Sequence, residues 1–204
     1  MSSSAGQHGT YHHGDLYNAL VANARALAEE AGPNGITVRA LASRAGVSHT
    51  AAYHHFANKN EILRAVAIEA FGDVSSRMRA AGDAPDVTSA LTGAAIAYLT
   101  FALERPAAFR FMWARELCLT TGEPDALEAA QRGLAEDIDE ILAAHRDEVV
   151  GNDDRLATLS VWTTVHGFTT IAVDTPAFKG APPEQLAGMT AALVGQLMRG
   201  LGSS

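Results

Sequence analysis

Apolar residues recur along this chain at intervals of three and four, and alternation with a period of two is scarce. That spacing predicts helices rather than strands. Leu16, Leu20, Ala24, Leu27 and Ala28 share a face of a first helix over 15–31, stopped by Gly32-Pro33. Thr37 is placed to cap a short helix over 38–45, ended by Gly46, and Ser48 to cap another through about residue 56. Asn58 followed by Glu61 has capping-box spacing and opens a helix to about residue 80. Gly82-Asp83-Ala84-Pro85-Asp86 reads as a linker. Further helices follow over 88–104, 106–119 (Pro106 at its first position), 125–149, 154–173 and 184–201. The fold class is therefore all-α, with about nine helices and no repeat of solenoid length.

Composition narrows the class. The 204 residues are 48% hydrophobic and 19% charged, enough for a buried core and against wholesale disorder. A single cysteine, Cys118, excludes an internal disulfide framework and a Cys-rich metal site, and fits a cytoplasmic protein. The start has no apolar stretch of signal-peptide type, and the apolar runs are broken well short of about 18 residues, so no membrane span is expected. The net charge of −8 argues at first against nucleic acid, but it is unevenly spread. Residues 1–70 hold five basic side chains (Arg25, Arg39, Arg44, Lys59, Arg64) against five acidic ones, with six of the eight histidines; the remainder holds ten against eighteen. A neutral N-terminal module can bind DNA if its cations cluster, while an acidic body stays off the phosphates.

The two short helices around Gly46-Val47 suggest a helix-turn-helix. The second carries Ser48, His49, Thr50, Tyr53, His54 and His55, all able to donate hydrogen bonds, and a capped N-terminus suits phosphate. The competing reading is an ordinary helical hairpin with a solvated polar face. Lys59 stands at a helix start, where a cation gains nothing from the dipole, and a phosphate partner would account for it.

The run Thr37-Val38-Arg39-Ala40-Leu41-Ala42-Ser43-Arg44-Ala45-Gly46-Val47-Ser48, followed by Ala52-Tyr53-His54-His55-Phe56-Ala57-Asn58-Lys59, resembles the TetR family of bacterial transcriptional regulators. The opening Tyr11-His12-His13-Gly14-Asp15-Leu16 is similar to the approach to the first helix in one branch, and the close resemblance covers about residues 12–72. It implies a flexible arm over 1–13, a three-helix DNA-binding domain over 14–72 and a helical ligand-binding and dimerisation domain over 73–204. By position it implies that Thr37, Ser48, His49, Thr50, Tyr53, His54 and Lys59 touch double-stranded DNA. Tyr53, Lys59 and Thr37 would hold phosphates, and His49, Thr50 and His54 would face base edges. The reading helix departs from many relatives in having no Arg or Lys, so a bidentate arginine–guanine contact is not available from it. His55 is read as scaffold against the first helix and Phe56 as core.

Trp162-Thr163-Thr164-Val165-His166-Gly167 resembles the Trp-x-x-Val-His-Gly signature of a TetR subgroup. Trp162 and His166, four apart, share a helix face, and Gly167 would let another helix approach. Phe101, Phe109, Met112, Trp113, Trp162 and His166 are candidates for the wall of an apolar effector pocket, with packed core as the competing reading. The last helix is apolar on two faces, Leu186, Met189, Leu193 and Leu197 on one, and Ala187, Ala191, Val194 and Met198 on the other. Two apolar faces need two partners, the second being another subunit, so Val165, Leu186, Met189, Leu193 and Leu197 are expected at a homodimer interface.

No catalytic residue, metal site or cofactor is expected. A Cys118–His166 pair has no supporting signature, and Glu136, Asp137, Asp139 and Glu140 read as a solvated face. His8, His12 and His13 lie in an arm without the fixed geometry a metal needs. The expected function is a homodimeric repressor, released from a palindromic operator by an apolar small molecule and coupled through the helix after Lys59. The alternatives are a helical protein–protein adaptor and a constitutive DNA-binding protein.

Overall fold

The computed structural model describes residues 13–32, 35–114, 117, 126–149 and 154–201. The expectations for the arm over 1–12, for Cys118, and for the breaks at 121–124 and 151–153 lie outside them. Among the described residues there are nine α-helices and no strand: α1 (His13–Ala31), α2 (Val38–Ala45), α3 (His49–Tyr53), α4 (Lys59–Ala81), α5 (Val87–Glu104), α6 (Pro106–Met112), α7 (Ala126–Ala144), α8 (Asp154–Asp174) and α9 (Pro183–Leu201). They form two compact units, one through Val66 and one from Ala67 onward, so the division falls inside α4.

Local chemistry sets the ends. Thr37 Oγ1 accepts the Ala40 N–H at 3.0 Å, and Gly46 closes α2 at φ 68°, a left-handed conformation that favours glycine. Asn58 Oδ1 accepts the Glu61 N–H at 3.1 Å, while the Glu61 carboxylate reaches back to the Ala57 N–H at 2.7 Å. The N-terminal core gathers Leu20, Ala24 and Ala28 of α1, Leu41 and Ala42 of α2, Ala52 of α3, and Phe56 and Ile62.

In the C-terminal unit α5 is the hub. It packs on α6, α7, α8 and α9 and buries about half its circumference, Tyr98 and Phe101 completely, while Ser89, Thr100 and Glu104 lie exposed on the other side. Two helical stretches, Val87–Glu104 and Arg155–Asp174, are long and apolar enough to cross a membrane. That corrects the expectation that every apolar run is broken too early. The apolarity of α5 is explained by its position among four other helices. At Gly93 the approach is closest: a Cβ there would stand 2.1 Å from the carbonyl oxygen of Ala81 at the end of α4.

Ion pairs join the elements. Arg105 reaches Asp73 at 2.5 Å, and Arg77 reaches Asp73 at 3.1 Å and Glu104 at 2.7 Å, both guanidiniums lying within 6 Å of the Phe101 ring centre. Asp137 corrects the solvated-face reading of the acidic cluster. It is 1% exposed on the inner side of α7, beside Leu134, Ile138 and Ile141, and is held by Arg79 of α4 at 2.5 Å.

Candidate nucleic-acid interface and effector site

Ser48 begins the reading element. Its Oγ accepts the Ala51 N–H at 3.1 Å, which fixes the first turn of α3. The α-helix ends at Tyr53, earlier than the expected residue 56, although His54 keeps a right-handed helical backbone and donates its N–H to Thr50 at 3.1 Å. Ala52 is buried beneath, so the opposite face is presented outward: Ser48, His49, Thr50, Tyr53 (56% exposed) and His54 are all exposed. Thr37 is exposed at the start of α2, and Lys59 is half-buried at the first position of α4.

His55 turns inward. Its ring lies 6.1 Å from that of Tyr17 on α1, and the buried Phe56 lies 5.5 Å from the same tyrosine. Arg44, one of the few cations of this unit, is held by Glu30 through two hydrogen bonds of 2.6 and 2.7 Å. The charge-assisted fork raises the arginine's pKa and lowers the glutamate's, and it ties α1 to α2. Arg39, exposed on α2 and without an ion pair among the described residues, was not singled out by sequence. Its signal was its place opposite the buried Val38–Leu41–Ala42 stripe.

The C-terminal candidates divide. Phe109, Trp113, Trp162 and His166 join one aromatic cluster, centred on a residue sequence reasoning missed, Tyr98. The Tyr98 hydroxyl lies 2.8 Å from His166 Nδ1. His166 stacks on Trp162 with ring centres 5.1 Å apart and planes 6° from parallel, and Trp113 lies 4.7 Å from the imidazole. Burial drives the tyrosine pKa far up and the histidine pKa down. The phenol therefore stays protonated and donates to a neutral imidazole, leaving the other ring proton on Nε2. The Trp113 N–H lies near enough to favour the ionised phenol slightly, short of a hydrogen bond, and has no other partner among the described residues. Phe101 belongs instead to the Arg77–Arg105 network, and Phe101, Phe109 and Met112 are all at most 2% exposed. Among the described linings, only Trp113 and Trp162 of the six candidates border a hollow.

The expected interface residues divide too. Val165 and Leu186 are buried within this chain, so they are core and not free surface. The buried stripe of α9 is Leu186, Thr190, Val194 and Met198, with Met189, Leu193 and Leu197 half-buried beside it. The exposed apolar side chains lie on α8: Leu156, Leu159 and Ile171, at 57, 55 and 47%. With Thr163 and Gly167 they fall within an arc of about 120°. A Cβ at Gly167 would meet nothing within 4 Å, so this glycine does not serve close helix packing inside the chain.

Comparison with known proteins gives concordant matches. Residues 20–66 match the domain of bacterial regulatory proteins of the tetR family, and residues 91–197 match a tetracyclin repressor-like C-terminal domain. An uncharacterised HTH-type transcriptional regulator of Mycobacterium tuberculosis is 25% identical over 150 residues, which span 74% of this chain and 66% of that protein. A protein of unknown function from Rhodococcus sp. RHA1 has a similar structure at TM-score 0.80 and 26% identity, covering 95% of this chain and 99% of that one. FadR from Bacillus subtilis, in complex with stearoyl-CoA, shares the fold at TM-score 0.71 and 20% identity, covering 90% of this chain and 98% of its own.

Proposed function

Since the chain belongs to the tetR family of bacterial regulatory proteins, a family of DNA-binding transcription factors and not of enzymes, we propose that it is a homodimeric repressor, cytoplasmic, that leaves a palindromic operator when an apolar small molecule binds its C-terminal unit. The observation that carries the DNA side is the Ser48-capped α3 with His49, Thr50, Tyr53 and His54 all turned outward. Tyr53, Lys59 and Thr37 hold phosphates, and His49, Thr50 and His54 meet base edges in the major groove. The exposed Leu156, Leu159 and Ile171 of α8, with the half-buried Met189, Leu193 and Leu197 of α9, support a twofold interface between copies. Two reading helices roughly 34–36 Å apart then match half-sites one helical turn apart.

FadR, crystallised with stearoyl-CoA, supports the effector side. The effector must bind the DNA-incompetent state better than the competent one, or it shifts nothing. α4 runs unbroken across the division between the units, and its second half is tied to its surroundings through Arg77 and Arg79. A second reading, constitutive DNA binding without effector, draws support from the tightness of the core beside Tyr98, where the seam between Met78, Leu91, Ala94 and Ala95 is too narrow to admit a water.

Selection of the purified protein against a random double-stranded DNA library at near-physiological salt tests the proposal. A recovered palindrome supports a dimeric reader and supplies the site for effector screening. A folded dimer that recovers no sequence refutes the operator reading and favours the adaptor.

A further inference from the structure

Trp162 borders three hollows of the C-terminal unit. Two are clefts between α7 and α8 of the single chain, of about 570 and 390 Å³, which share Ala135 and Trp162 in their linings; the first is also walled by Leu156 and Leu159, which the proposed partner copy covers, and the second is not. The third is an inner apolar seam lined by Met78, Leu91, Ala94, Ala95, Tyr98 and Ile138 among others, too narrow to admit a water. Trp162 is the side chain common to all three linings. With its indole in place the seam is too tight for any ligand. With the indole swung toward the clefts, the vacated slot opens onto Ala94 and Ala95, whose small side chains leave its far wall shallow.

The slot has a definite shape and polarity. One wall is the flat imidazole of His166, now parallel to the indole at 5.1 Å. A planar aromatic body stacks there as the indole does. The buried Trp113 N–H has no hydrogen-bond partner among the described residues and lies at the margin of the second cleft. Outside stand Arg155 in one cleft and Arg132 in the other, neither in an ion pair among the described residues, in a region of the chain that is otherwise acidic. Carboxylates share both clefts: Asp139, which accepts the Thr158 hydroxyl, and Glu128.

We propose that Trp162 is the door of a ligand site entered between α7 and α8, and that the site takes a flat aromatic anion whose ring replaces the indole against His166 while its acid group stays outside at Arg132. This deepens the effector reading and rests on it for any consequence at DNA.

The probe is 1-naphthylacetate, with 2-(1-naphthyl)ethanol as its neutral counterpart, each titrated into the full-length protein by calorimetry. NMR reads nuclear Overhauser effects between the naphthyl protons and the ring protons of His166, and the indole N–H signal of Trp162, which moves when the indole leaves its stack. The acid should bind saturably, at least tenfold tighter than the alcohol, with naphthyl–His166 effects and a shifted Trp162 N–H signal. Ala135→Phe, which fills the cleft in front of Trp162, should weaken the acid at least tenfold, and Ala135→Leu serves if the phenylalanine variant does not fold. Arg132→Gln should abolish the preference for the acid. No saturable binding, binding without naphthyl–His166 effects or with the Trp162 N–H signal fixed, or binding untouched by the residue 135 variants overturns the proposal. If the acid binds as described yet operator DNA stays bound, the site stands and the effector reading fails. If another compound releases DNA while the Trp162 signal stays fixed, the effector reading stands and this site fails.

Discussion

The hydroxyl of Tyr98 and the Nδ1 of His166, 2.8 Å apart, join α5 to α8 through the polar bridge at the centre of the aromatic cluster. Both groups are withdrawn from water, so each is the other's substitute for solvent. Tyr98→Phe leaves the imidazole acceptor unpaired in the protein interior. The expected loss is about 1–2 kcal/mol of unfolding free energy, read from the midpoint of a urea titration. An unchanged midpoint would show that the bridge contributes nothing to stability.

Two histidines give the fold opposite responses to pH. His145 lies between the carbonyl oxygens of Ile141 (3.0 Å) and Ala84 (3.1 Å), so both ring nitrogens must donate, and with Glu148 and Asp86 nearby its pKa is raised above the ordinary 6.5. Its contribution is complete below that ordinary value and fades as pH rises through the raised one. Burial lowers the pKa of His166, so its neutral form is the native one. Stability on its account is intact above the ordinary value and declines as pH falls from there through the lowered one. In denaturation series across this window, His145→Gln should flatten the alkaline side of the profile and His166→Phe the acid side. Variants that merely shift both profiles uniformly would contradict these assignments.

At Gly93 the expected effect is steric. A Cβ there meets the Ala81 carbonyl oxygen at 2.1 Å, and a backbone oxygen cannot rotate away. Gly93→Ala should therefore destabilise by about 1–3 kcal/mol, although alanine is the better helix former. Thermal melts of the two proteins decide it, and a stabilised variant would mean that α4 and α5 are not so close.

On the DNA side, Tyr53→Ala and Lys59→Ala should weaken binding across all sequences. Loss of the Lys59 charge should also lower the slope of log affinity against log salt by about 1. His54→Ala should instead change the preferred bases, with discrimination falling by on the order of 1 kcal/mol at the positions it faces. Binding isotherms on the selected operator and on single-base variants separate the two patterns. Equal behaviour of all three variants would remove this map of the interface.

How much of this could be read from sequence depended on the range of the interaction. The caps at Thr37, Ser48 and Asn58 were legible because donor and acceptor lie within four residues, and the amino-acid types announce them. His55 was legible as scaffold because its neighbour Phe56 is core. Tyr98 was not, because it sits among the apolar residues of the buried side of α5, where an aromatic reads as plain core and gives no sign of a partner 68 residues away. Asp137 was hidden inside an acidic run, where only the packing of α7 separates the inward carboxylate from the outward ones. Val165 and Leu186 were misassigned to an interface for a related reason. Periodicity finds an apolar face, but it cannot tell whether the chain's own helices or another copy covers it.

The fork between Arg44 and Glu30 takes one more positive charge out of a unit whose reading helix has no arginine or lysine. Affinity for arbitrary DNA is governed by cations that displace counterions from phosphates. On the proposed reading, a protein with so few of them would be held only weakly by the bulk of a chromosome, where wrong sequences outnumber the right one by about a millionfold or more. Few copies would then be tied up on irrelevant DNA, and a small cellular pool would be enough to keep one operator occupied.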